Sequence, residues 1–384
     1  MRSVPARGTR GRSALPPRGI LPPIWTPRLA AGEGGSCLRR CHAWLAAALA
    51  LATVVATGCG FGGAVRQSPS GGLFGGGGLK VLVFEASSGS SPVSRVSPLT
   101  AANKSMVSAL APYWFHVEPD GSVKGSPQPA LEKWAKANHV ALAPLINNAN
   151  ATSAFLQSAA TRAAAVANIA NLVSKNDFAG INIDFEPLPS SVRAGMTAFI
   201  TALYAKLHPM GKLVEVSIIP ATSVSAANSG AFDYRAIAAN SNAAVLMTYD
   251  QHDDGSCPGP IAQLTWVKER LGIALKDGMP ANKILLGIAD YGYNWTSCKS
   301  HGTPTVGLNK IPSLPGSSHV TRDAEGDPHF TYTSAGTQHV VWYEDAQSVV
   351  AKIKLAKADH LQGLALWEER YATPAFWNAI KSNR

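Results

Sequence analysis

The chain encodes an α/β protein: a parallel (β/α)8 barrel, the TIM-barrel class, with a small α+β insertion between its seventh and eighth strands. Three observations predict this. Short apolar runs recur eight times, and Ala-rich helical stretches separate several of them. The 306 residues of 79–384 also exceed the roughly 250 of such a barrel, and the excess is one polar, Gly- and Pro-punctuated segment before the eighth run.

The eight runs are 79–86 (LKVLVFEA), 106–117, 140–147, 180–186 (GINIDFE), 213–220 (LVEVSIIP), 243–250 (AAVLMTYD), 283–292 (KILLGIADYG) and 361–368 (LQGLALWE). Near-continuous apolarity marks strands covered on both faces, as parallel sheets are. The helical stretches are 153–175, 192–208, 260–276 and 344–359. Strands alternating with helices give parallel neighbours joined by crossovers. The insertion is read at about 296–343, where Gly, Pro and β-formers dominate.

The first 78 residues lie outside this pattern. Residues 1–38 are rich in Arg, Pro and Gly without apolar period. Arg39 and Arg40 then precede an apolar stretch, 43–56, that is too short to span a bilayer comfortably and reads as an export signal. It ends in VATGC, with small Gly58 directly before Cys59, which resembles a bacterial lipobox. We therefore expect 1–59 to be an N-terminal extension and lipoprotein-type signal, with Cys59 lipidated. Residues 60–78 form a Gly/Ser-rich flexible linker, and 79–384 the barrel. The expected location is outside the cell, lipid-anchored to the outer face of a bacterial membrane, or secreted if Cys59 is unmodified.

Charge and cysteine narrow the partners. The formal charge is +10, but residues 1–59 carry eight Arg against one Glu, a net +7, which leaves +3 for the remainder. So small an excess leaves no nucleic-acid footprint. Of five cysteines, Cys257 and Cys298 remain beyond the signal and Cys59. An even pair in an oxidising compartment predicts a disulfide. In a barrel the loops after the sixth and seventh strands are neighbours on one face, which makes the pairing geometrically feasible. No metal-ligand spacing occurs, and His252-Asp253-Asp254 beside Gly255 reads as a solvated turn, so no metal or cofactor is expected. A monomer is expected.

GINIDFEP, 180–187, carries the chemistry. On a strand, Ile181, Ile183 and Phe185 point one way, and Asn182, Asp184 and Glu186 the other. No Lys or Arg lies between Asp177 and Arg193 to compensate them. Uncompensated buried carboxylates are costly. Either partners arrive from elsewhere in the fold, or the carboxyls are kept for reaction. With Glu186 as the last residue of the fourth strand, the three climb toward the C-terminal mouth, where barrel enzymes work. Burial and a like-charged neighbour would keep Glu186 protonated near neutral pH, as a general acid must be.

This stretch resembles the DxxDxDxE signature of glycoside hydrolase family 18. Asp184 and Glu186 match its last two acids, whereas Asn182 and Ala179 stand at the first two. The NIDFE form resembles the spore-cortex and cell-wall N-acetylglucosaminidase branch. APYWFHVEPDGSV, LMTYDQHDDGSCPGPIAQLTWV, LLGIADYGYNW and the segment ending in ALWE resemble its other motifs, in order. The resemblance implies substrate-assisted hydrolysis of an N-acetylglucosamine-containing polysaccharide with retention. Glu186 would protonate the glycosidic oxygen. Asp184 would orient the 2-acetamido N–H, Tyr249 would bind its oxygen, and Trp367 would floor the sugar. Asp250 suits either the substrate site or a loop cap. Asn182 supports the site, and Tyr293, with Trp114 and Tyr291, fits either a sugar groove or the core. The implied substrate is peptidoglycan-type glycan. Chitin is the alternative within the enzyme class, and a non-catalytic glycan-binding lipoprotein the alternative outside it.

Overall fold

The computed structural model describes residues 78–86, 96–298 and 302–384. The expected signal, Cys59 and almost all of the linker lie outside the described residues.

The barrel strands are β1 (Lys80–Glu85), β2 (Ala109–Val117), β4 (Ala141–Leu142) with β5 (Leu145–Asn148), β6 (Gly180–Asp184), β7 (Leu213–Ile218), β8 (Ala243–Leu246), β9 (Ile284–Ala289) and β15 (Gly363–Trp367). A short β3 (Val123–Gly125) forms a hairpin with β2. The parallel order runs β1-β2-β5-β6-β7-β8-β9-β15, and β1 pairs both β2 and β15, so the sheet closes on itself. The third position is shared by β4 and β5, both paired to β2. This is the predicted eight-stranded barrel.

Alternation divides each strand between two cores. Leu82, Phe84, Ala109, Ala111, Leu145, Ala243, Val245, Leu285 and Ala365 fill the interior. Residues on the other face of the strands, such as Val83, Leu110, Ile183 and Val216, share an outer core with helix residues Ile169, Val173, Phe199 and Leu203. The four predicted helices form as Ala159–Lys175, Arg193–Leu207, Leu264–Lys276 and Ala346–Ala358. The first begins six residues after its expected start because Ser158 caps it, accepting from the Thr161 N–H.

The insertion is a second sheet of five antiparallel strands: β10 (Tyr291–Trp295), β11 (Thr305–Gly307), β12 (Thr321–Arg322), β13 (Pro328–Ser334) and β14 (Thr337–Tyr343). Its described helical part is one 3-10 helix, Leu308–Ser313. It starts at Tyr291, earlier than 296. The run 283–292 therefore divides. Residues 284–289 pair with barrel neighbours, while residues after Asp290 turn to pair with β11 and β14. Lys352, on a barrel helix, donates to Glu344 (2.6 Å) and lies 3.9 Å from Asp327, tying the end of the inserted sheet to the barrel wall.

Candidate active site

β6 is buried along its whole length. Gly180 allows it to sit close to β7, since a Cβ there would lie 2.4 Å from the Leu213 carbonyl oxygen. The predicted alternation holds. Phe185 packs edge-on against Phe155 at 5.0 Å on the helix side, while Asn182 and Asp184 face the interior. The strand, however, stops at Asp184 rather than Glu186. The ladder ends there because the Glu186 N–H donates to the Asn148 Oδ1 at 2.8 Å instead of to a neighbouring strand. Asn148 is buried and is itself fixed by donating to the Thr152 carbonyl at 3.0 Å. Glu186 thus stands just beyond the strand, at the mouth.

Both acids are strongly perturbed. Burial pushes the Asp184 carboxyl up to about 7, and the Ser217 hydroxyl opposes the rise. Glu186 is raised well above the ordinary carboxyl range by burial, then by Asp184, then by Asp250. It keeps a solvent-facing edge, so a substrate can reach it. Two acids this close do not ionise together cheaply and titrate as a unit. Glu186, disfavoured as an anion by burial and then by Asp184, is the group inclined to keep its proton.

Asn182 anchors the pair from below. It is wholly buried and accepts from the Ser217 Oγ at 3.0 Å. Its register partner on β7 is Glu215, also wholly buried and raised by burial to about 7. The Asn182 amide opposes that rise but closes no hydrogen bond with it. Glu215 was not singled out from sequence. Its signal was a lone acid among the apolar residues of LVEVSIIP.

Tyr249 and Asp250 follow β8, which ends at Leu246. The Tyr249 phenol is raised by burial and then by the charges of Asp184, Glu186 and Asp250. Gly287 makes room for it: a Cβ there would meet the ring at 2.9 Å. Asp250 adopts left-handed backbone, φ 57°. Burial raises its carboxyl to about 7. Tyr293 is 2 % exposed, and its hydroxyl donates to Asp250, so it meets the site through that carboxyl rather than as a sugar platform. Trp367 ends β15, keeps partial exposure and packs on Phe84 at 5.3 Å.

On β2 the residue at the mouth is Tyr113, not Trp114. Trp114 packs outward on Phe178. Tyr113 shares the interior face of Ala109 and Ala111, and its hydroxyl accepts from Asn147. Its phenol is pushed up to about 12 by burial, then by Asp184 and Glu186. The alternation that placed Asn182 and Asp184 would have found it. Cys257 and Cys298, in the loops after β8 and β10, are joined by a disulfide. Among the described residues no cluster could hold a metal ion. A groove of about 660 Å³ lined by Phe115, Asn168 and Lys175 opens on the outer flank and shares none of these groups. Chemistry, rather than concavity, locates the site.

A closed parallel barrel whose mouth holds a carboxyl raised well above its ordinary range beside a second acid suits acid-base hydrolysis. The chain belongs to glycosyl hydrolases family 18, whose sequence profile matches residues 99–371; it is a glycoside hydrolase. It is 28% identical over 306 residues to a cortical fragment-lytic enzyme of Bacillus anthracis, covering 74% of this chain and 70% of that one. Among solved structures it resembles a chitinase from Chromobacterium violaceum (TM-score 0.71, 27% identity, 80% of this chain and 99% of that one). It also resembles the Bacillus megaterium spore cortex-lytic enzyme SleL (TM-score 0.69, 26% identity, 79% and 74%).

Proposed function

We propose that the protein hydrolyses β-linked N-acetylglucosamine glycan of the peptidoglycan type, with retention, by substrate-assisted catalysis. The observation that carries this is the Asp184–Glu186 pair, whose charges also act on the Tyr249 phenol. Glu186, held protonated, donates to the glycosidic oxygen as the bond breaks. The sugar's own 2-acetamido oxygen attacks the anomeric carbon from the opposite face. Asp184 accepts from the acetamido N–H and offsets the positive charge that develops on the ring. Tyr249 donates to the acetamido oxygen and holds it in attacking position. Glu186, now a carboxylate, takes a proton from water, which opens the intermediate with the original anomer restored. Trp367 lies under the sugar ring, and Asp250 borders the same space.

The relatives named for cortical fragments and spore cortex favour peptidoglycan. The chitinase of similar identity favours chitin as the second reading. We place the enzyme outside the cell, tethered through lipid on Cys59; this rests on the VATGC stretch alone. The test is product analysis by mass after incubation with peptidoglycan and with chitin oligomers, each also offered without N-acetyl groups. Cleavage of the acetylated glycan alone, releasing the β anomer first, is expected. Equal cleavage of de-N-acetylated glycan rejects the acetamido nucleophile, and turnover of chitin alone selects the second reading.

A further inference from the structure

Of the two uses open to Tyr291 and Tyr293, a sugar groove or the core, their burial fits the core. Both side chains are 2 % exposed, so neither presents a face to a glycan. They stand two apart on β10, on the same face of the strand. Both hydroxyls donate to one atom, Asp250 Oδ1, at 2.6 and 3.0 Å. That atom therefore accepts two hydrogen bonds from the inserted sheet. Asp250 itself holds a left-handed backbone that an Asp tolerates but does not seek. β10 is the strand that opens the inserted sheet and is hydrogen-bonded to β11 and β14.

From this geometry, and resting on the reading of Glu186 as the general acid, we propose that Tyr291 and Tyr293 are positioning residues. They clamp Asp250 beside Glu186, so that the inserted sheet governs the acid of the barrel.

The sign follows from charge. Asp250 is acted on by Tyr291 and Tyr293 from β10, and by Asp253 and Asp254 from its own loop. His252 in that loop is directed away, to the Pro260 carbonyl at 2.9 Å. The tyrosine hydroxyls favour the ionised Asp250 and the two aspartates disfavour it. On its other side Asp250 acts on Glu186 and Tyr249, and Asp184 acts on the same two. An ionised Asp250 makes ionising Glu186 harder, which keeps the proton on the acid. Removing the clamp leaves Asp250 neutral over more of the working range. The repulsion weakens, and Glu186 loses its proton at lower pH.

The experiment compares Y291F, Y293F, the double variant, D250N and D250N carrying the double change. Phenylalanine keeps the packed rings and removes only the donors. The pH profile of kcat/KM is measured on a chitin oligomer or on solubilised peptidoglycan, whichever the wild type turns over. The alkaline limb of the tyrosine variants should move down by at least about 0.5 pH unit. D250N should move it the same way, and the tyrosine changes should then add nothing, because they act through Asp250. Carboxyl carbon-13 titration of Glu186, assigned by the signal lost in E186Q, reads the same shift without turnover. If the double variant does not fold, the single variants decide. An unmoved Glu186 midpoint in folded single variants overturns the proposal, as does an equal further shift in the D250N background. An active E186Q instead rejects Glu186 as the acid, which is a separate outcome.

Discussion

Glu186 and Asp184 differ by two positions and by role. Glu186 has its backbone fixed by Asn148, meets solvent at one edge and is raised well above the ordinary carboxyl range. Asp184 is deeper and keeps one oxygen without a hydrogen-bond partner, an acceptor ready for an acetamido N–H. Glu186→Gln should lower kcat by about 10²–10⁴-fold, the usual contribution of a general acid, while glycan binding and thermal midpoint stay near wild type. Near-wild-type turnover in that variant would falsify the assignment. Asp184→Asn should cost activity severely on N-acetylated glycan, since the amide is a poorer acceptor and carries no charge. Full rate there would remove the acetamido group from the mechanism.

The ends of β1, β9 and β15 gather four buried carboxyls: Glu85, Asp290, Glu368 and Glu369. Arg370 is bonded to Glu368 at 3.0 Å, and Glu369 accepts from the Ser97 N–H at 2.9 Å. Both Glu85 oxygens lack a partner. Burial, then Glu369, raises Glu85 to about 8, with Arg370 opposing. Unfolded, a Glu titrates near about 4.3. Between those values the folded protein binds more protons than the unfolded chain, so stability is fully present at the acid end and falls as pH rises toward 8. The thermal midpoint should therefore drop between about pH 5 and about pH 8, and drop less in Glu85→Gln, by a few degrees. Parallel curves for the two proteins would show that Glu85 does not drive the loss.

A second device at this scale is the Cys257–Cys298 bond, which closes a span of 41 positions across the loops after β8 and β10. Replacing both by Ser should lower stability by about 3–4 kcal/mol in the chain-entropy account, read from denaturant midpoints. An unchanged midpoint would show that β10 and its sheet hold those loops unaided.

At the scale of the whole molecule, one barrel carries the acid and one inserted sheet leans over its mouth. The sheet is fastened by the disulfide, by the Lys352 ion pairs and by the hydroxyls of Tyr291 and Tyr293 on Asp250. Ahead of the barrel, the Gly/Ser-rich 60–78 would let a membrane-tethered enzyme reach a surrounding polymer. A fatty-acid analogue fed to expressing bacteria should label the wild type and not Cys59→Ser. Release of unlabelled wild type into the medium would reject the anchor and leave plain secretion.

The sequence by itself determined the barrel, its two-faced strands and the acid pair. Those follow from local rules: a period of two divides GINIDFE into Ile181, Ile183 and Phe185 on one side and Asn182, Asp184 and Glu186 on the other, and eight such runs with helices between them match the count of a parallel barrel. The tertiary structure alone decided the rest, because it depends on what arrives from distant strands. Glu186 is set beyond β6 by Asn148, 38 positions away. KILLGIADYG, 283–292, reads as one strand locally, yet it divides at Asp290 because one half finds barrel partners and the other finds β14. Tyr113 rather than Trp114 meets the carboxyls because closure turns that face of β2 inward. Tyr293 serves Asp250 rather than a sugar because burial by the inserted sheet, which no spacing in the sequence encodes, covers its ring and leaves only the hydroxyl something to bond.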